Sequence, residues 1–185
     1  MNLPAIFVVA LLSSAVLVHV PGLSSVMAKV ARESQPTAEP ARVITVAELA
    51  KEIRSHRGRP VILHFWASWC VPCMIELPFL DRAAKDLSRR GVDFLPVSLD
   101  SPTQLSAKHV GALLAQRVRD ARWSPILKVA DIDAFIASID PGWEGAIPVF
   151  FAFDSETRMR RTHLGNINQS ELDALVDWVM PVKGK

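Results

Sequence analysis

A single junction limits what this chain can fold into. Residues 60–67, PVILHFWA, are an almost unbroken apolar run. A strand with one wet face alternates polar and apolar residues, whereas an unbroken run is buried on both faces. Such a strand belongs in the middle of a sheet that is covered on both sides. An amphipathic stretch follows at once over residues 73–90, stopping at Gly91, with Pro78 expected to kink it. Cys70 and Cys73, the only two cysteines in the chain, stand where strand gives way to helix.

The rest of the sequence continues the alternation. TVAELAKEIRSHRG opens with Thr45 and Glu48 at capping-box spacing, and Gly58 follows as a stop. VDFLPVSLD (92–100) reads as another buried strand, and residues 103–119 and 131–139 as helices. IPVFFAFD (147–154) is strand-like, DSET is a turn that lacks the expected glycine, and RMRRTHLG (158–165) fits a return strand. Asn168 or Ser170 then caps a final helix with Leu172, Leu175, Val176 and Val179 on one face. The expected order is α-β-α-β-(α-α)-β-β-α. Strands separated by helices pair in parallel, and the late hairpin adds an antiparallel edge. The fold class is α/β, a mixed sheet with helices on both faces.

With 185 residues, half of them apolar, the chain has room for one domain with a proper core. The net charge of +2 is spread without a dense basic run, which gives no support to a nucleic-acid partner. Residues 1–28 carry no Lys, Arg, Asp or Glu, and Val26 and Ala28 stand as the small residues of a cleavage site. This segment is expected to be an export signal or a retained membrane anchor. The first basic residues, Lys29 and Arg32, come after the apolar run, so either the true start lies upstream of Met1 or cleavage is the better reading. Residues 29–44, rich in polar residues and holding Pro36 and Pro40, read as a linker. The folded domain is expected over residues 45–182.

The cysteine pair admits several uses. A structural zinc site needs about four close ligands, but the five histidines are scattered at positions 19, 56, 64, 109 and 163. Covalent haem needs His directly after the second cysteine, and Met74 is there. A disulfide closing so short a loop adds little stability. Redox chemistry fits better. Positions i and i+3 of a first helical turn share one side, within disulfide reach. At the helix N-terminus, free N–H groups and the helix dipole favour a Cys70 thiolate able to attack a disulfide. Cys73, one turn in, can resolve the mixed disulfide. Pro72 suits the helix start and has no N–H to lose.

FWASWCVPC (65–73) resembles the active-site segment of the thioredoxin fold, and CVPCMIELPFL (70–80) is similar to the TlpA/ResA/DsbE group of exported thioredoxin-like proteins. WEGAIPVFFAFD (143–154) looks like that group's loop and following strand, so the resemblance spans roughly residues 45–180. It implies a thioredoxin-like fold with an insertion, residues 101–140, between the second core strand and the cis-proline strand. It also implies roles by position. Pro148 matches the cis-proline facing the disulfide, although by itself it reads as the first residue of a strand. Ile147 would offer its backbone to a substrate strand. Trp69, Val71 and Pro72 would complete the substrate surface, while Trp66 reads as packing. Glu76 matches an acid that tunes the thiols and accepts a proton; alone it reads as a solvated helix residue. His64 occupies the place of thioredoxin's buried acid, as a proton relay for Cys73 or as a hydrogen-bonded core residue.

The expected function is a thiol:disulfide oxidoreductase working outside the cytoplasmic membrane, mainly reducing protein disulfides. The redox-active disulfide would be its only redox group, with no cofactor and no metal. Its partners would be protein disulfide clients and a membrane electron donor of the thiol-relay type. Cytochrome c maturation and copper-site assembly are natural tasks. Two other readings stand beside it. One is a thiol peroxidase, which lacks its usual Thr-x-x-Cys context here. The other is a thioredoxin-fold binding module or thiol-based metal handler without turnover.

Overall fold

The computed structural model describes residues 38–118 and 124–180. The expected signal or anchor over 1–28, residues 29–37 of the expected linker, and residues 181 and 182 of the expected domain lie outside the described residues. The elements run β1 Val43–Thr45, α1 Val46–Ser55, β2 Val61–Trp66, α2 Val71–Arg89, β3 Asp93–Ser98, α3 Gln104–Arg117, β4 Ile126–Lys128, α4 Ile132–Ile139, β5 Val149–Phe153, β6 Met159–Leu164 and α5 Gln169–Val179. The sheet has six strands in the order β1-β4-β3-β2-β5-β6. β2 pairs parallel with β3 and antiparallel with β5, and β6 closes the hairpin at one edge.

β2 is buried at all six positions, as its unbroken apolar run requires. Its side chains alternate between the two faces. Val61, Leu63 and Phe65 join a core with Leu49 of α1 and Phe135 of α4. Ile62 packs with Leu80 of α2 and Leu172 of α5, and Trp66 with Leu77 of α2 and Leu114 of α3. His64 therefore points from the middle strand into the side covered by α2.

Local chemistry explains the ends of the elements. Thr45 and Glu48 form the expected capping box, and so do Asn168 and Glu171. Leu172, Leu175, Val176 and Val179 form the buried face of α5. The glycine-free hairpin turn places Thr157 at φ 62°, where Asp154 Oδ1 accepts from the N–H groups of Glu156 and Arg158. Pro78 lies inside α2, which runs on through it.

The strand count differs from the sequence expectation. Two short strands, β1 and β4, pair parallel with each other, and β4 joins β3 through Ser98 and Ile126. Three residues are too few to show a period, so neither was visible in the pattern. The end of the segment read as a linker is consequently part of the sheet. Just before it, the Ala41 N–H donates to the Ala107 carbonyl of α3 at 2.8 Å. A Cβ on Gly111 would come 2.0 Å from the Glu39 carbonyl oxygen, so only glycine lets this segment approach the helix so closely.

Candidate active site

The site lies where β2, β3 and β5 meet the first turn of α2. Cys70 is the N-cap of α2, and its sulfur accepts from the Cys73 N–H at 3.3 Å. The two cysteines form a disulfide, with Cα atoms 5.3 Å apart. Cys70 is 5% exposed and Cys73 is fully buried, so Cys70 is the one of the two with surface left. Around that sulfur, Trp69, Val71, Pro72 and Ile75 are exposed.

The loop ahead of Cys70 is pinned from β3. Buried Asp100 accepts from the Ser68 N–H at 2.8 Å, from the Ser68 hydroxyl at 2.6 Å and from the Ser98 hydroxyl at 2.6 Å. Trp66 is buried and donates from Nε1 to Ser124 at 2.8 Å. On the opposite side, Trp143 stacks on Phe65 and donates to the Ala146 carbonyl, which fixes the approach to β5. Gly145 turns that approach at φ 86°, where a Cβ would meet Ile136 at 2.7 Å. The Ile147–Pro148 bond that follows is cis, and the Ile147 carbonyl oxygen lies 3.8 Å from Cys70 Sγ.

A circuit of contacts closes behind the disulfide. Pro148 leads into Val149, whose carbonyl lies 3.2 Å from His64 Nδ1. His64 Nε2 lies 3.6 Å from Glu76 Oε1. Glu76 Oε2 accepts from Asn166 Nδ2 at 3.1 Å and from the Ile167 N–H at 3.3 Å. Asn166 Nδ2 also donates to the Pro72 carbonyl at 3.0 Å, which returns the circuit to the turn between the cysteines. The ring of His64 stacks on Phe150 with centroids 4.2 Å apart. Burial pushes the Glu76 carboxyl up to about 7, against the lowering effect of its bonds to Asn166 and Ile167. Burial pulls the His64 imidazole down to about 3, against the raising effect of the Val149 carbonyl.

Residues 40–119 match the AhpC/TSA family. The chain is 23% identical over 147 residues to the thiol-disulfide oxidoreductase ResA of Bacillus cereus, covering 75% of each chain. Its fold resembles that of a thioredoxin-family thiol:disulfide interchange protein from Chlorobium tepidum, with a TM-score of 0.52 and 22% identity over 79% of this chain and 97% of that one. It also resembles the exposed lipoprotein thioredoxin Etrx1 of Streptococcus pneumoniae, with a TM-score of 0.51 and 20% identity over 68% of this chain and 89% of that one. The chain is a thiol–disulfide oxidoreductase with a thioredoxin-like fold, similar to the ResA proteins.

In this oxidoreductase the candidate residues Cys70, Cys73, Glu76, His64, Ile147 and Pro148 converge on one place, with Trp69, Val71 and Pro72 on the surface above. Glu76 is buried at 5% exposure, unlike the solvated helix residue its sequence context alone suggests. Asn166 was not picked out from the sequence, yet it ties Glu76 to the cysteine turn. Only its position just after a hairpin ending at Gly165 hinted at it. Asp100 was missed too, although it follows a buried strand, at the strand end where α/β sites are built. Among the described residues, no group of His, Cys, Asp and Glu could hold a metal ion.

Proposed function

We propose that this oxidoreductase reduces protein disulfides outside the cytoplasmic membrane. The observation that carries the reading is the unequal burial of the two cysteines, 5% exposed for Cys70 and none for Cys73, beside an exposed apolar rim. Cys70 has the surface of the two and caps the helix, so Cys70 attacks and Cys73 resolves. The helix N-terminus supports a thiolate on Cys70, and the Cys73 N–H that reaches its sulfur adds to this. A client strand lies along the Ile147 backbone beside Pro148, with Trp69, Val71 and Pro72 against its side chains. Glu76 takes the Cys73 proton as the mixed disulfide is resolved.

Val71 and Pro72 place no cation between the cysteines to over-stabilise the thiolate, which favours a reductant over an oxidant. Electrons then come from a thiol-relay donor in the membrane. Cytochrome c maturation and copper-site assembly are the tasks this chemistry suits. The uncharged segment 1–28 supports export. No helix among the described residues is long and apolar enough to cross a membrane.

The test is trapping. Cys73→Ser expressed in the export compartment is expected to accumulate a mixed disulfide on Cys70, and mass spectrometry then names the client. Absence of any such adduct counts against the mechanism. A glutathione-equilibrium potential near that of a strong oxidant, about −120 mV, overturns the reductant reading.

A further inference from the structure

Two buried side-chain atoms of the site have no hydrogen-bond partner, and they face each other. They are His64 Nε2 and Glu76 Oε1, 3.6 Å apart. Their other ends are already committed. His64 Nδ1 lies 3.2 Å from the Val149 carbonyl, which has no proton to give, so the Nδ1 position must carry the hydrogen. A neutral imidazole has one N–H, which leaves Nε2 as a bare lone pair. Glu76 Oε2 already accepts two N–H groups, so a proton on this carboxyl belongs on Oε1. A bare lone pair facing a carboxylate oxygen is unfavourable, whereas the same lone pair facing Oε1–H is attractive, and an approach of a few tenths of an ångström from 3.6 Å closes a hydrogen bond.

We infer that His64 is a positioning residue: its Nε2 accepts a hydrogen bond from Glu76 Oε1–H and so holds the Glu76 proton on the oxygen that faces the ring. The inference rests on the reading of Glu76 as the proton partner of Cys73. It gives His64 a different part from a relay, because the ring stays neutral throughout. Burial acts in the same direction, raising Glu76 to about 7 and lowering His64 to about 3. The other titratable groups near the pair are few. Cys73 lies one turn before Glu76 on α2. Asp81 of α2 lines the same small cavity as His64, with Phe94 and Ser124. His163 of β6 meets the Phe150 ring edge-on at 6.0 Å. No Lys or Arg forms an ion pair with either residue among the described residues.

In the mixed disulfide, Cys73–SH gives its proton to the Glu76 carboxylate. The Cys73 sulfur forms a bond to Cys70 Sγ while the Cys70–substrate bond breaks. The substrate sulfur leaves as a thiolate and is protonated from water. The protein dithiol has then lost two electrons and the substrate disulfide has gained them. When an incoming dithiol opens the Cys70–Cys73 bond, the proton returns from Oε1 to the departing Cys73 sulfur. By favouring protonated Oε1, His64 makes Glu76 a stronger base in the first direction.

The test is NMR of the oxidised full chain, reading the 15N resonances of His64 and the 13C carboxyl resonance of Glu76 against pH. The expected His64 tautomer is Nδ1–H throughout the Glu76 titration. Its Nε2 resonance should move with the Glu76 midpoint, and this movement should vanish in Glu76→Gln. His64→Phe keeps a ring on Phe150 and is expected to raise the Glu76 acid constant about tenfold. The pH profile of mixed-disulfide resolution should shift down by about one unit with it. An Nε2–H tautomer, or an Nε2 resonance indifferent to Glu76, overturns the inference, as does an unchanged Glu76 midpoint in His64→Phe. If that variant does not fold, the wild-type tautomer and Glu76→Gln decide between the outcomes. These readouts do not depend on client trapping, so failure of the reductase reading and failure of this inference remain distinguishable.

Discussion

Two histidines, His56 at the end of α1 and His64 inside β2, both set Nε2 3.6 Å from a glutamate Oε1. His56 does so toward Glu52 at the rim, and His64 toward Glu76 in the core. The difference lies in everything else around them. His56 Nδ1 lies 2.6 Å from Asp93 Oδ2, and Arg59 holds the other Asp93 oxygen at 2.8 Å. The side chain is 22% exposed, although Nε2 itself is buried without a hydrogen-bond partner, so it is the neighbouring charges that set this ring apart. His64 is fully buried and has only a peptide carbonyl at Nδ1. At the rim, charged neighbours of both signs lie close together and near solvent, which screens them. In the core an unpaired charge costs several kcal/mol, so neutral forms prevail and the proton is pushed onto the carboxyl. The same pair of groups is a surface network in one place and a proton store in the other.

The largest effect should separate the two sites by stability. His64→Ala removes a fully buried ring that stacks on Phe150 and leaves a cavity beneath α2. Its expected destabilisation is about 2–4 kcal/mol, read from the denaturant midpoint. A loss of less than about 1 kcal/mol would mean that His64 is not packed as the contacts imply.

The next effect is one of pH. The carboxyl of Glu76 rises from 4.5 to about 7 on folding, so between those values the native chain holds a proton the unfolded chain has lost. Stability from this group is full below about pH 4.5 and falls as pH rises through 7, by up to about 3 kcal/mol. The imidazole of His64 falls from 6.5 to about 3, so its contribution is full above pH 6.5 and is lost as pH falls toward 3. The two slopes oppose each other between about pH 4.5 and 6.5. Glu76→Gln removes one of them. Relative to wild type it should gain stability at pH 8 over pH 5, and its loss on acidification should be the steeper. Urea unfolding at the two pH values checks this, and an equal difference at both would show that Glu76 does not titrate in the dry site.

Much of this arrangement was legible in the sequence, and the missing parts share a cause. The unbroken run PVILHFWA places β2 at the centre, and the capping-box spacing at Thr45 and a cap at Asn168 or Ser170 mark where α1 and α5 begin. The cysteine pair at the strand–helix joint announces the chemistry, because the signal is local in the chain. β1 and β4 are too short to carry a period, and their pairing is decided by each other. Asn166 and Asp100 act across 90 and 32 residues of chain on Glu76 and Ser68. No local pattern reports a hydrogen bond of that span. Glu76 shows the limit most clearly. Its place on the helix follows from spacing, but its burial depends on the loop at Asn166–Ile167 folding over it.

The smallest effect belongs to the rim. His56→Ala removes one member of a network in which Arg59 still holds Asp93 and Glu52 still faces water. Ion pairs that solvent still reaches contribute about 0–1 kcal/mol, and salt screens them. The expected loss is below about 1 kcal/mol and should shrink further in 1 M salt, whereas the loss in His64→Ala should not respond to salt. The reason is distance from solvent ions. At 1 M the screening length is about 3 Å, enough to weaken a pair at the surface but without access to a dry core. A salt-insensitive loss of 2 kcal/mol or more at His56 would place that ring among the packed groups and remove the contrast between the two histidines.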